Sequence, residues 1–205
     1  DPFATVPLPP AGTDLGAPAT EPAADGPCAP GNYTTVARCT SFSPGVYVIA
    51  GSSPTTIHDA VRATDVLLYF TCSRQTGGTT YPEPCAAGGQ EGASLDGAGS
   101  GTAEISGRTS GGYPEYLGFA MVFDRNNTAT QRWVGNGDLV VHGASYLANP
   151  EALLDLRGNG SFMAHGVTVV GDVLMRGQGR DQLHFSVNAP DLPVPAGPPQ
   201  VHLLH

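Results

Sequence analysis

The stretch GNGDLVVHGA at residues 135–144 decides the fold, because it returns as GNGSFMAHGV at residues 158–167. The two stretches align without gaps, 23 positions apart. Each has Gly-Asn-Gly, then a short alternating strand, then His-Gly and the start of another strand. A period in the low twenties that holds several short strands is typical of a β-solenoid, in which stacked coils bury a shared core. The repeat therefore predicts an all-β fold of this kind.

The Gly-Asn-Gly elements have a physical role at the corners of the coils. A chain that turns sharply between strands needs residues that tolerate positive φ, and glycine and asparagine do so most readily. We expect Asn136 and Asn159 to lie one above the other at one corner, where each amide can bond the backbone of the neighbouring coil.

Three runs outside the repeat are also typical of strands, because they are rich in β-branched and aromatic residues and end at turn formers: residues 44–51, 65–72 and 116–124. Two segments, 55–62 and 149–154, predict one or two helical turns at most. Short strands and many turns also suit an antiparallel β-sandwich, which is the alternative fold.

Proline and glycine divide the chain into three parts. Residues 1–43 contain eight prolines, which block helices and central strands, so we expect an extended arm there. Residues 44–188 form the predicted solenoid body, and 73–102 a long Gly-rich loop inserted into it. Residues 189–205 form a second Pro-rich segment, predicted to be a C-terminal tail.

Composition excludes several classes of function. The chain has 205 residues, 28 glycines, 19 prolines, nine arginines and no lysine, and its net charge is −9. No basic stripe is available to neutralise phosphates, so a nucleic-acid partner is not expected. Apolar runs such as residues 66–70 are far too short to cross a bilayer, so no membrane span is expected in this chain.

The four cysteines predict two disulfides. They are Cys28, Cys39, Cys72 and Cys85, all in Gly-, Pro- or Thr-rich surroundings. Four cysteines allow three pairings, of which we favour the two local ones, Cys28–Cys39 and Cys72–Cys85. A zinc site is the competing interpretation, but the chain lacks a C-x-x-C pair and a histidine at ligand spacing. Disulfides indicate an oxidising, extracytoplasmic compartment.

No catalytic arrangement is visible. Asp124 and Arg125 are adjacent, so in a strand their side chains would point to opposite faces. Four other aspartates stand singly along the chain: Asp138, Asp155, Asp172 and Asp181. A glycosidase needs two carboxylates about 5–10 Å apart, and no such pair is evident. We therefore expect neither catalytic residues nor a cofactor.

His142 and His165 hold the same place in the two copies of the repeat. In stacked coils their rings would lie about 5 Å apart on one face. Such a pair could bind a metal or respond to pH, but without a visible third ligand we favour a structural ladder. Calcium-binding solenoids need Gly-Gly-x-Gly-x-Asp arrays, and residues 135–138 match only one fragment, so no metal is expected.

The chain resembles the C-terminal extracellular region of TadG-like proteins, which are associated with bacterial Tad/Flp pili. Four motifs carry the resemblance in the family's order: DPFA at 1–4, PGVYVI at 44–49, VLLYF at 66–70 and GFAMVFDRN at 118–126. The insertion at 73–102 and the His-Gly pairs depart from that pattern. The resemblance implies a secreted or surface-exposed, right-handed parallel β-helix; it does not imply a catalytic activity.

Together these observations predict a non-enzymatic extracellular structural protein, a subunit of a surface filament or pilus-associated assembly. Its partners would be further copies of itself or pilus components. The alternative is a monomeric adhesin or pilus accessory or tip protein that binds a glycan or host surface through the 73–102 loop. A more remote alternative is a polysaccharide-active β-helix enzyme.

Overall fold

The computed structural model describes Phe3 and residues 21–52, 54–57, 60–111, 113–177 and 183–186. Their regular secondary structure is almost entirely β, so the expected all-β class is confirmed. The strands form three sheets in which neighbours run parallel. Parallel pairing excludes the antiparallel β-sandwich that the sequence left open as the alternative.

Sheet 1 contains six strands, which pair in the order of the chain. They are β2 (Gly31–Tyr33), β4 (Gly45–Ala50), β7 (Val66–Thr76), β11 (Phe119–Phe123), β14 (Ala144–Leu147) and β17 (Thr168–Val170). β8 (Thr79–Glu83) pairs antiparallel with the far part of β7 and forms a hairpin with it. A short 3₁₀ helix, Pro114–Tyr116, precedes β11.

Sheets 2 and 3 are also ordered as in the chain. Sheet 2 contains β5 (Pro54–Thr55), β9 (Ser94–Gly99), β12 (Gln131–Gly135), β15 (Leu153–Gly158) and β18 (Asp172–Arg176). Sheet 3 contains β1 (Gly26–Cys28), β3 (Cys39–Phe42), β6 (Arg62–Ala63), β10 (Thr102–Ser106), β13 (Asp138–His142), β16 (Phe162–His165) and β19 (Leu183–Ser186). From β4 onward the described chain visits sheets 1, 2 and 3 in rotation, apart from the β8 hairpin strand.

The two copies of the predicted repeat pair with each other as parallel strands. β13 pairs with β16 at the 23-residue offset seen in the sequence. Asn159 Nδ2 donates a hydrogen bond to Asn136 Oδ1 at 3.1 Å, so the corner amides stack as expected but bond each other rather than the backbone. Gly158 has φ +108°, and a Cβ there would collide with the Gly135 carbonyl, so this corner requires glycine.

The main core lies between the sheets and contains side chains of all three. Phe70 and Phe123 stack within it, with ring centroids 4.4 Å apart. Sheet 1 is apolar on its other face too, where a second cluster includes Leu67 and Tyr69. Strands buried on both faces are typically continuous apolar runs, which accounts for the VLLYF stretch at 66–70.

Both disulfides have the local pairing that the sequence favours. Cys28 is bonded to Cys39, with Cα atoms 5.5 Å apart, and links β1 to β3. Cys72 is bonded to Cys85, with Cα atoms 4.9 Å apart, and closes the base of the β7–β8 hairpin. Each bridge therefore spans neighbouring strands or a single hairpin.

The predicted boundary between arm and body is wrong. β1, β2 and β3 lie within the expected arm and pair into sheets 1 and 3. The proline in β1, Pro27, is on an edge strand, where the missing N–H does not break a ladder between two neighbours. The arm can therefore reach no further than about residue 25, while the predicted tail at 189–205 lies outside the described residues.

The predicted loop at 73–102 is also wrong over most of its length. Its first part is the β7–β8 hairpin, and its last part contains β9 and the first residue of β10. β9 has the Gly-rich sequence SLDGAG, in which Gly97 makes room for the ring of Trp133 from the next coil. Gly97 is therefore a strand residue because it leaves space for a neighbouring aromatic ring, although the glycine content of the segment predicts a loop.

The predicted helical turns are absent from residues 54–57 and 60–63, where β5 and β6 are found. The turn predicted at 149–154 is present only in part. Asn149 Oδ1 accepts a hydrogen bond from the Glu151 backbone N–H at 2.8 Å, and β15 then begins at Leu153. A tight asparagine turn is enough to connect two strands of successive sheets.

Candidate functional site

The last described strand of each sheet defines an open end of the stack. We call β17, β18 and β19 the C-terminal coil; each has a described neighbour on one side only. Its side chains Val170 and Val173 are only partly buried against the core. A strand with one free edge exposes unpaired N–H and C=O groups that another chain can bind.

Side chains of the core become exposed at this end. Met175 pairs in register with the buried Leu156, and Phe185 with the buried Ala164, so both continue interior columns of side chains. Yet Met175 is 51% exposed and Phe185 is 48% exposed. They are the large hydrophobic side chains left exposed in the described part of the chain. Nothing in that part covers them.

The opposite end of the stack is covered. Tyr33, in the first strand of sheet 1, is 4% exposed, and its Oη donates to the Ala29 carbonyl at 2.6 Å. Tyr47 is fully buried, and its Oη lies 2.8 Å from the carbonyl oxygens of both Cys28 and Ser43. Burial raises the pKa of the Tyr47 phenol well above its ordinary value. These side chains close the first coil over the core.

Two prolines blunt the strand edges at this covered end. Pro27 lies in β1 and Pro54 in β5, which are the first strands of sheets 3 and 2. Proline has no backbone N–H, and it is one device by which proteins discourage edge pairing. The two ends therefore differ in both coverage and hydrogen-bonding capacity.

The outer face of sheet 1 binds an aromatic side chain from the beginning of the chain. Phe3 is 3% exposed; its ring meets Phe119 edge-on at 4.9 Å and Tyr146 at 5.8 Å. The Phe3 carbonyl accepts a hydrogen bond from Arg125 Nη2 at 3.4 Å. We call this the Phe3 pocket, formed by Phe119, Arg125 and Tyr146. Sequence analysis missed it, although the apolar character of both faces of β7 and β11 signalled a covered surface.

The predicted histidine stack is confirmed. The rings of His142 and His165 are 4.9 Å apart and nearly parallel, at 16°. His142 Nε2 lies 3.1 Å from Glu104 Oε1, and Glu104 also forms an ion pair with Arg62. Partial burial lowers the pKa of His165, and nearby His142 and His184 lower it further.

Within the described ranges, no group of three or more His, Cys, Asp or Glu side chains is arranged to hold a metal ion. The stack is a surface ladder on sheet 3, anchored at one end by the Glu104 carboxylate.

Asp124 is buried at a corner of the fold. It is 1% exposed, and its carboxylate accepts hydrogen bonds from Thr71 Oγ1 at 3.1 Å, Cys85 N–H at 3.0 Å and Asn126 N–H at 2.9 Å. Arg125 points instead to the Phe3 pocket. Asp124 thus ties the base of the hairpin to the end of β11.

The other aspartates considered from the sequence lie in separate contacts. Asp138 Oδ1 accepts a hydrogen bond from Ser161 Oγ at 2.6 Å, and the buried Asp155 is paired with Arg157. That pairing with Arg157 holds the pKa of the Asp155 carboxyl below its usual range. Asp172 bonds the backbone N–H of Val173 beside it, and Asp181 lies outside the described residues.

Comparison of the chain with protein-family models, curated proteins and solved structures finds no match. The resemblance to TadG-like proteins therefore stays a prediction from sequence motifs. Among the described residues, no helix is long and apolar enough to cross a membrane. Over the described residues, the structure defines an all-β protein of parallel sheets whose first strands are covered and whose last described strands are not.

Proposed function

We propose that this protein is a non-enzymatic extracellular structural protein, the subunit of a surface filament or pilus-associated assembly, built on a right-handed parallel β-helix. The observation that carries the proposal is the open C-terminal coil, where the core columns end in the exposed Met175 and Phe185. The partner would be a further copy of the chain or a pilus component.

The β-helix is supported by the rotation of the chain through three parallel sheets. Each turn contributes one strand to each sheet from β4 to β19, with the β8 hairpin as an added excursion. Stacked coils of this kind bury their faces only against one another. The extracellular site is supported by the two disulfides, which persist in oxidising compartments.

A structural role is favoured by the contacts of the aspartates. Asp124, Asp138 and Asp155 each hold a backbone N–H or an arginine in the described fold, so their carboxylates stabilise corners and strands. Assembly through the C-terminal coil is favoured because free strand edges and uncovered apolar side chains are typical of interaction surfaces.

Electron microscopy of the purified chain over a range of concentrations tests the proposal. We expect regular filaments or oligomers that grow with concentration, and their loss in Phe185→Glu, which places a charge on the open core column. Thr130→Glu adds the same charge at an exposed position between β11 and β12, in the middle of the stack, and is the matched control. Monodisperse monomers at every concentration, from the chain alone and with pilus fractions, would contradict the assembly proposal.

A second candidate, a monomeric adhesin, is favoured by the β7–β8 hairpin. Its strand ends extend past sheet 1, with Gly77 and Gly78 at the exposed tip, and the Cys72–Cys85 bridge closes its base. Arg74 lies over the Tyr81 ring, 5.7 Å from the centroid. Glycan-array binding by the monomer that is lost in Tyr81→Ala, with folding intact, would support this function instead.

A further inference from the structure

The Phe3 pocket lies far from β1, the first strand that follows Phe3 in the chain. Glu21, which accepts a hydrogen bond from the Arg38 backbone N–H at 3.0 Å, lies beside the covered end of the stack. The pocket lies between β11 and β14, on the half of sheet 1 nearer the open end. Residues 4–20 must therefore connect two distant parts of the stack.

The length of this connection allows two routes. From β2 to the pocket is three to four strand spacings, or about 14–19 Å at ~4.8 Å per spacing. If the covered end of one copy stacked on the C-terminal coil of another, the neighbour's pocket would be only two to three spacings away, about 10–14 Å. Seventeen residues, 4–20, reach at most about 60 Å, so either pocket is within range.

The covered end needs such a link if copies are to stack. Pro27 and Pro54 remove N–H donors from the edges of sheets 3 and 2, so only sheet 1 offers an edge without proline. Sheet pairing alone would join two copies incompletely. An aromatic side chain seated across the junction links two copies without depending on strand edges.

We infer that, in the assembly, Phe3 of one copy occupies the pocket formed by Phe119, Arg125 and Tyr146 of the next copy. The isolated chain fills its own pocket with the same contacts, so exchange replaces one set by an identical set. Domain swapping has a low free-energy cost for the same reason, because an identical element is exchanged between protomers. The inference rests on the proposed filament function and names the contact that locks it.

Photo-crosslinking between distinguishable chains tests the exchange. One chain carries p-benzoyl-phenylalanine at position 3, and a larger, tagged chain carries Phe3→Ala, so that its pocket can be filled only from another molecule. The two are mixed, assembled and irradiated. We expect a covalent product of the summed mass, with the attachment mapped by mass spectrometry to residues beside Phe119 or Tyr146.

The effect on assembly provides a second measurement. Because the ring is buried in a pocket both before and after exchange, Phe3→Ala should leave the concentration needed for assembly nearly unchanged. It should speed the release of copies from a diluted assembly by about tenfold or more, because one buried aromatic side chain no longer has to leave its pocket first. Phe3→Tyr, which keeps the ring, should assemble nearly as the parent chain does. The circular dichroism spectrum and disulfide content of each monomer report whether the variant is folded.

The outcomes separate this inference from the proposed function. Filaments with cross-chain products at the pocket support both. Filaments in which position 3 crosslinks only within its own chain overturn the exchange and leave the filament function standing. No assembly at any concentration, with only within-chain products, overturns both.

Discussion

The two ends of this stack of strands are built differently. At the first end, the Cys28–Cys39 bridge and the buried Tyr33 and Tyr47 cover the core, and prolines blunt two strand edges. At the other end, the coils repeat regularly until the described chain stops, and Met175 and Phe185 continue the core columns into solvent. Every copy of a regular repeat leaves one face for the next copy, so the core at an end is covered only where the sequence departs from the repeat.

The largest expected effect distinguishes buried from open parts of the core. Phe70→Ala should lower the free energy of unfolding by about 3–5 kcal/mol, because a fully buried aromatic ring leaves a cavity beside Phe123. Phe185→Ala, at the open end, should change it by less than about 0.5 kcal/mol in the monomer. Urea unfolding followed by circular dichroism measures both. Equal losses would mean that the C-terminal coil is covered in the monomer.

Removing the covalent closure of the first end should have the next largest effect. Cys28→Ser with Cys39→Ser should cost about 2–3 kcal/mol, because the bridge closes a short loop and restricts the unfolded chain. Hydrogen exchange should rise in β1–β3 and change little in β15–β17. If exchange rose equally at both ends, the stack would unfold as one unit rather than from its ends.

A smaller effect is expected at the regular corner of the repeat. Asp138→Ala removes the acceptor for the Ser161 backbone N–H and hydroxyl, so it should lower stability by about 1–3 kcal/mol at most. The nearby exposed pair Asn136 and Asn159 offers a control, since Asn136→Ala should cost less. Thermal unfolding of the variants gives the order. An Asn136 effect larger than that of Asp138 would mean that the amide stack holds the corner.

The smallest effect is a pH dependence on sheet 3. The pKa of His165 is lowered in the folded protein, so the unfolded state binds more protons below the ordinary histidine pKa of about 6.5. The contribution of His165 to the free energy of unfolding is complete above that pH and is lost as the pH falls toward the pKa of the folded state. Comparison of His165→Asn with the parent chain at pH 5 and 7.5 should show a smaller pH effect in the variant. An unchanged pH effect would assign it to other groups.

Much of the regular region could be predicted from the sequence because its signals are local. The 23-residue offset between two copies implies the register of β13 on β16, and with it the stacked His142 and His165. Close cysteine spacing favoured the two observed disulfides. Each of these inferences needs only the positions of a few residues within one or two coils.

The irregular parts could not be predicted by the same reasoning. β9 is a strand despite its glycines because Trp133, in the next coil, occupies the space above Gly97. Strands β1–β3 form in a Pro-rich segment because neighbouring strands accept them as edges. In both cases the residues that stabilise the strand lie outside the short segment from which the prediction was made.

The sequence by itself determined the all-β character and the stacking register of the repeat, because periodicity and turn chemistry act over short distances. Only the tertiary structure decided which end is covered and where Phe3 binds. Phe3 and Arg125 are 122 positions apart, and no pattern in the chain relates them. Their contact arises because the fold brings the apolar outer face of sheet 1 and the beginning of the chain together, where burial of an aromatic ring is favourable.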